Sequence, residues 1–310
     1  GDFRFHVMRH ITTILVVVTI IGLLACTQQS HADGNDLKHS LSEGQDSLLT
    51  QSKFDKLPKH FSRDTIEQLL EDKKESGALR IIHVLVPLCD NDNQGIVPVN
   101  AQLGNGLNLR TNLYWGAGYG IKKHFTRSSK WKTVSTTLNH TSTVLERVVF
   151  KHTSSNVVMI ADAYRGDKME ACVVDYFNIL AGSKHDSITL GDSTLSIGTS
   201  TDLVVFNGHN GLMDVMIDTI FNVDGRTKDA IAIACVSHSF YVDYLNASGG
   251  YPLVMTANFL APEAYVLDHV FDKWISNQPP EQIRFAAAQG YHNIQKCGIR
   301  GASNLFVTGW

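Results

Sequence analysis

The chain has 310 residues, 43% of them hydrophobic and 18% charged, with a formal net charge of −3. That length and apolar content suffice for one large core or two modest ones and exclude a chain disordered throughout. The near-neutral charge leaves no basic footprint for nucleic acid, so no such partner is expected.

Met8-Arg9-His10 precedes the apolar stretch ITTILVVVTIIGLLA, which ends at Cys26. A cationic start, a short apolar region and a small residue before the break read as a secretory signal, and the stretch is too short for a membrane span. Leu23-Leu24-Ala25-Cys26 resembles the bacterial lipobox, whose Cys is lipidated and becomes the mature N-terminus. The expectation is a lipid anchor in a bacterial cell envelope, facing the periplasm; the alternative is secretion after cleavage at Ser30-His31-Ala32. Residues 1–7 read as lying upstream of the start. Residues 27–60 are polar, without sustained periodicity, and are expected to be a flexible tether ahead of a single domain over 61–310. Once Cys26 is lipidated, Cys89, Cys172, Cys235 and Cys297 remain, for two disulfides or for free thiols.

Past the tether, residues 62–77 predict a helix stopped by Gly77. Short apolar runs then predict strands over 79–88, 156–164, 202–208, 229–237 and 251–259. Helices are expected over 169–182, 262–277 and 281–296, and a small one at LMDVMIDTIF. The strand runs are continuously apolar rather than alternating, as in a parallel sheet covered on both faces. The fold expected is α/β, an open and mostly parallel sheet with helices on both faces.

In such sheets ligands collect at the carboxyl ends of the strands. Cys89, Asp162, His209 and Cys235 each close an apolar run, so parallel strands would put all four on one rim. A cysteine attacks carbonyls as a thiolate, and a neighbouring histidine takes its proton and later protonates the leaving group. Strands sit about 5 Å apart, so the ends of LVVFNGHNG and AIAIAC are within reach of each other. Gly208 and Gly211 permit a sharp turn there, with an N–H to hold an oxyanion. Set against this is the ordinary reading, a structural His and a small buried Cys.

This arrangement resembles the caspase/legumain-like class of cysteine peptidases, which includes gingipains and the CHAT proteases. There an apolar strand leads into His-Gly, and the next leads into a small residue followed by the catalytic Cys. LVVFNGHNG matches the first element, with Asn210 standing between His209 and Gly211, and AIAIAC matches the second, with Ala234 before Cys235. The resemblance implies His209 as base, Cys235 as nucleophile and a caspase-like three-layer sandwich.

Four residues are candidates for substrate binding. Asp90 and Asp92, on the long polar loop after the first strand, could read a basic group, or belong to a solvated Asx-turn loop. Asp162 could orient His209 or meet a substrate cation, and Arg165 could clasp a carboxylate; the alternatives are a capping Asp and a surface Arg. His238, three residues after Cys235, is a second possible base. Gly116, Gly118 and Gly120 do not fit a dinucleotide fingerprint, and Trp115 and Tyr119 could line a pocket or the core. No C-x-x-C or H-E-x-x-H occurs, so neither metal nor cofactor is expected. The function expected is an envelope-anchored cysteine hydrolase acting on a peptide or amide. The alternative is a non-catalytic lipoprotein that binds a ligand or partner on the same frame.

Overall fold

The computed structural model describes residues 57–310. The expected signal segment, Cys26 and most of the expected tether lie outside the described residues. The chain docks from Pro58 onward. Asn246 Nδ2 donates to the Pro58 carbonyl at 2.6 Å, and the His60 ring stacks on Trp310 with centroids 4.5 Å apart.

Helix α1 (Asp64–Ser76) carries Asp64 and Glu67 in its first turn and Lys73 and Lys74 in its last, matching the helix dipole at both ends. Gly77 ends it at φ 70°, a left-handed conformation that glycine reaches without a Cβ clash. Strand β1 (Arg80–Pro87) follows, then a long loop, α2 (Ile121–Arg127), the hairpin β2 (Trp131–Leu138) and β3 (Val144–His152), and β4 (Val157–Tyr164). Helix α3 (Met169–Ala181), the small hairpin β5 (Ser187–Leu190) and β6 (Ser193–Ser196), and the single turn α4 (Ile197–Ser200) lead to β7 (Leu203–Asn207). Strand β8 (Lys228–Ile233), α5 (Ser237–Ser248), β9 (Gly250–Thr256), α6 (Ala264–Ile275), α7 (Pro280–Gln295), α8 (Ile299–Leu305) and β10 (Phe306–Val307) complete the chain.

The main sheet runs β10-β9-β8-β7-β1-β4-β3-β2. Its five central strands, β9, β8, β7, β1 and β4, are parallel, whereas β10, β3 and β2 are antiparallel. Every residue of β1, β4, β7 and β8 is buried, which is why these runs are mostly apolar, and the few polar residues in them, such as Asp162 and Asp229, are paired. Alternate residues feed two cores. Met159 and Ala161 face α1, α2, α6 and α7, packing with Phe125, Phe271 and Trp274. Val158 and Ile160 face α3 and α5, packing with Tyr176, Phe177 and Tyr241. The protein is thus an α/β three-layer sandwich, as its apolar runs predict.

The hairpin β2–β3 was not legible in the sequence. Strand β2 is an edge whose residues after Trp131 are exposed, so it carries Lys, Ser and Thr instead of an apolar run. LMDVMIDTIF is not a helix either. A 3₁₀ turn (Gly211–Met213) is followed by irregular chain up to β8, and the Asp214 side chain turns back to the backbone N–H of Gly95 and to His209. No helix among the described residues is long and apolar enough to cross a membrane.

A candidate active site at the carboxyl rim of the sheet

From β1 the chain crosses to the sheet edge at β2, comes back through β3 to β4 beside β1, then passes β1 to β7, β8 and β9 on its other side, so the strand order reverses between β1 and β7. A crevice opens outside the carboxyl ends of strands at such a reversal. The crevice here is a cavity of about 1200 Å³. Its floor carries His209, two residues past β7, and Cys235, two residues past β8. Residues 95–117 of the long loop form one wall, and residues 259–263, between β9 and α6, form another.

The long loop keeps its shape through asparagines. Asn112, fully buried, accepts the N–H of Cys89 at 3.0 Å and donates to the Cys89 carbonyl at 2.8 Å. Asn91 makes the same double bond to Val99, at 3.0 and 2.8 Å. These amides substitute for a strand partner where the chain has none, which satisfies buried backbone groups.

His209 is 7% exposed, and its Nε2 lies 2.8 Å from Asp214 Oδ2. Asp214 therefore orients the ring and leaves Nδ1 available for a proton. Burial lowers the affinity of His209 for a proton, and Asp214 only partly offsets this, so the imidazole rests neutral at pH 7. Cys235 is half-buried, with Sγ 3.6 Å from the Leu260 carbonyl. Burial pushes its thiol above the ordinary range. The two shifts act together, and the resting pair is neutral thiol with neutral imidazole, not a preformed ion pair.

The two loops are tied to each other. Asn210, fully buried, donates from Nδ2 to the Cys235 carbonyl at 2.7 Å and accepts the Leu212 N–H on Oδ1 at 3.1 Å. The residue that departs from the His-Gly pattern thus spans the gap between the His and Cys loops, which glycine cannot do. Val236, directly after Cys235, sits at φ 51°, a left-handed conformation that costs a β-branched residue about 1–2 kcal/mol. It is held there by its N–H to the Asn258 carbonyl (3.0 Å) and by the start of α5, where Ser237 Oγ donates to the Ala232 carbonyl at 2.7 Å. The result is a sharp strand–turn–helix that presents Cys235 at its bend.

No protein family, curated protein or solved structure matches the chain.

Of the candidates from sequence, His209, Cys235 and Gly208 share the cavity; Asp90, Asp92, Asp162, Arg165 and His238 do not line it. Asp90 is 5% exposed and is taken up by its own loop, accepting the N–H groups of Asp92 (3.0 Å) and Asn93 (3.2 Å) and the Asn93 side chain (2.9 Å). Asp92 is exposed on that loop. Asp162 lies inside β4 rather than at the rim, paired across the sheet with Leu85. Both its oxygens accept from Arg147 at 2.7 Å, and Oδ2 lies 2.7 Å from His83. Burial alone would raise its carboxyl, but Arg147 and His83 outweigh it and hold the group ionised. The acid that orients His209 is Asp214 instead. Arg165 pairs with Asp167 at 2.9 Å, and His238 lies 3.3 Å from the Gly309 carbonyl. Trp115 belongs to the core, donating to Glu146 at 2.6 Å. The N–H of Gly208 serves the sheet, donating to Ile233 at 3.2 Å, so it is no oxyanion donor.

Cys89, Cys172, Cys235 and Cys297 are all free thiols. Cys89 is fully buried beside Tyr114, and desolvation pushes its thiol up to about 12. No group of His, Cys, Asp or Glu among the described residues could hold a metal ion. Two residues that the sequence did not single out complete the site. Asp214 is one. The other is Glu263, on the cavity wall and 4% exposed, where burial raises the carboxyl to about 7 against a small opposing effect of the Tyr265 hydroxyl.

Proposed function

We propose that the protein is an envelope-anchored cysteine hydrolase acting on a peptide or amide bond, with Cys235 as nucleophile and His209 as base. The observation that carries this reading is the pair on one cavity floor, with His209 held by Asp214 and the two loops joined through Asn210. Their position after neighbouring parallel strands is also what the caspase/legumain-like resemblance implies. Because the resting pair is neutral, His209 Nδ1 takes the thiol proton as Sγ attacks the carbonyl carbon. The same proton passes to the leaving nitrogen as the C–N bond breaks, leaving a thioester. Water then attacks the thioester with His209 as base, releasing the acid and restoring the thiol. Asp214 stabilises the imidazolium in both steps.

The test is labelling with an uncharged acyloxymethyl ketone that traps cysteine nucleophiles. Wild type is labelled at Cys235, Cys235→Ala is not, and His209→Ala is labelled far more slowly. No labelling of the folded wild-type protein at any pH from 6 to 9 refutes the reading. The apolar walls of the cavity favour the rival, a ligand-binding lipoprotein, and ligand retention by Cys235→Ala without any turnover by wild type would establish it.

A further inference from the structure

Glu263 is the one acidic residue lining the cavity that holds His209 and Cys235. Pro262, just before it, is fastened to β7 by Asn207 Nδ2 at 3.0 Å, so the Glu263 backbone is held in place. Its partners are neutral: the Tyr265 hydroxyl, and the Gln295 amide at 3.5 Å. Elsewhere the fold treats comparably buried acids differently. Asp162 has Arg147, Asp229 has Arg63, Asp202 has Lys73, and Glu146 has Lys122. Asp90, the exception away from the cavity, has three N–H donors. A carboxyl taken out of water with neither cation nor full hydrogen bonding is costly, and the fold leaves this one so at the wall of its cavity.

We propose that Glu263 determines specificity, receiving the ammonium or guanidinium group of a substrate lysine or arginine whose carbonyl Cys235 attacks. The aliphatic stem of such a residue packs along Leu113 and Leu260 on the way in. Arg110, the other residue of fixed charge on the wall, is exposed, so solvent screens its repulsion. An arriving cation ionises Glu263, and affinity for it declines as pH falls through about 7.

The substrate part of this proposal rests on the hydrolase reading, whereas the cation site does not. Binding of butylguanidine is therefore measured by calorimetry at pH 8, with neutral butylurea as control. Wild type and Cys235→Ala bind the guanidine, and Glu263→Gln weakens it about 10–100-fold, the worth of a charge-assisted pair. Glu263→Asp, which keeps the charge, retains part of the binding. Equal binding by wild type and Glu263→Gln overturns the proposal. In parallel, coumarin amides carrying Arg, Lys, norleucine or Glu before the scissile bond are hydrolysed. Wild type favours Arg and Lys over norleucine about 100-fold or more, and Glu263→Gln removes that preference. Hydrolysis with no preference for cations overturns the proposal and leaves the hydrolase standing. Guanidine binding without hydrolysis of any substrate retires the hydrolase and upholds the cation site.

Discussion

Glu263 makes a prediction about stability that is independent of any substrate. Its carboxyl moves from an ordinary 4.5 to about 7 on folding because burial withholds water from the charged form. Each tenfold change in proton affinity is worth about 1.4 kcal/mol, so the folded state carries a penalty of roughly 3 kcal/mol once the glutamate is ionised in both states. The sign is set by which state keeps the proton. Below pH 4.5 both states are protonated and nothing is lost. Between 4.5 and 7 the native state alone holds the proton, so stability declines as pH rises, and above about 7 the whole penalty is present. Glu263→Gln keeps the shape and most of the hydrogen bonding but cannot ionise. It should match wild type at pH 4 and exceed it by up to roughly 3 kcal/mol at pH 8. The assay is urea unfolding of both proteins at pH 4, 6 and 8. A difference that does not change with pH, or a variant less stable than wild type at pH 8, would show that burial does not hold the Glu263 proton. The same substitution removes the proposed cation site, so the residue is one that stability alone would select against.

Asp214→Asn should lower kcat about 10–100-fold with KM little changed, because the ring loses its orienting carboxylate. It should also move the acid limb of the pH–rate profile to lower pH, since Asp214 opposes the burial that depresses His209; a limb that stays in place would give Asp214 a structural role only. Alkylation of Cys235 by neutral iodoacetamide should be slow at pH 7 and rise steeply toward pH 9, because burial raises the thiol; full reactivity at pH 6 would contradict a neutral resting pair. Asn210→Ala should cost about 1–3 kcal/mol in urea unfolding by stranding the Cys235 carbonyl, and should slow labelling of Cys235. Asp162→Ala should cost about 3–5 kcal/mol by leaving Arg147 buried without its main partner. The labelling rate of whatever remains folded should be unaltered; a selective loss of labelling would restore Asp162 to the site.

The division of the site between sequence and fold follows chain distance and periodicity. The runs LVVF and AIAI announce themselves because a strand buried on both faces is apolar at nearly every position. Once those strands are parallel neighbours, the residue two places past each must lie on the same rim, so His209 and Cys235 were legible as a pair. Helix stops at Gly77 and Gly182 were legible too, both being left-handed positions that favour glycine. Strand β2 was not, since an edge strand is free to be polar.

Which charges meet is settled by long-range packing. Asp162 follows an apolar run as neatly as His209 does, yet it lies within β4, where Arg147 from β3 and His83 from β1 neutralise it. Asp214 reads as one polar residue in a helical pattern until the chain after Met213 unwinds and its carboxylate reaches back to His209. Glu263 reads as the first polar residue of a helix, and the cavity it lines is walled by residues some 150 positions earlier in the chain. Hydrophobic patterning sets strands and rims because burial is a property of local runs. The partner of a charge is set by long-range packing, and no local pattern encodes it.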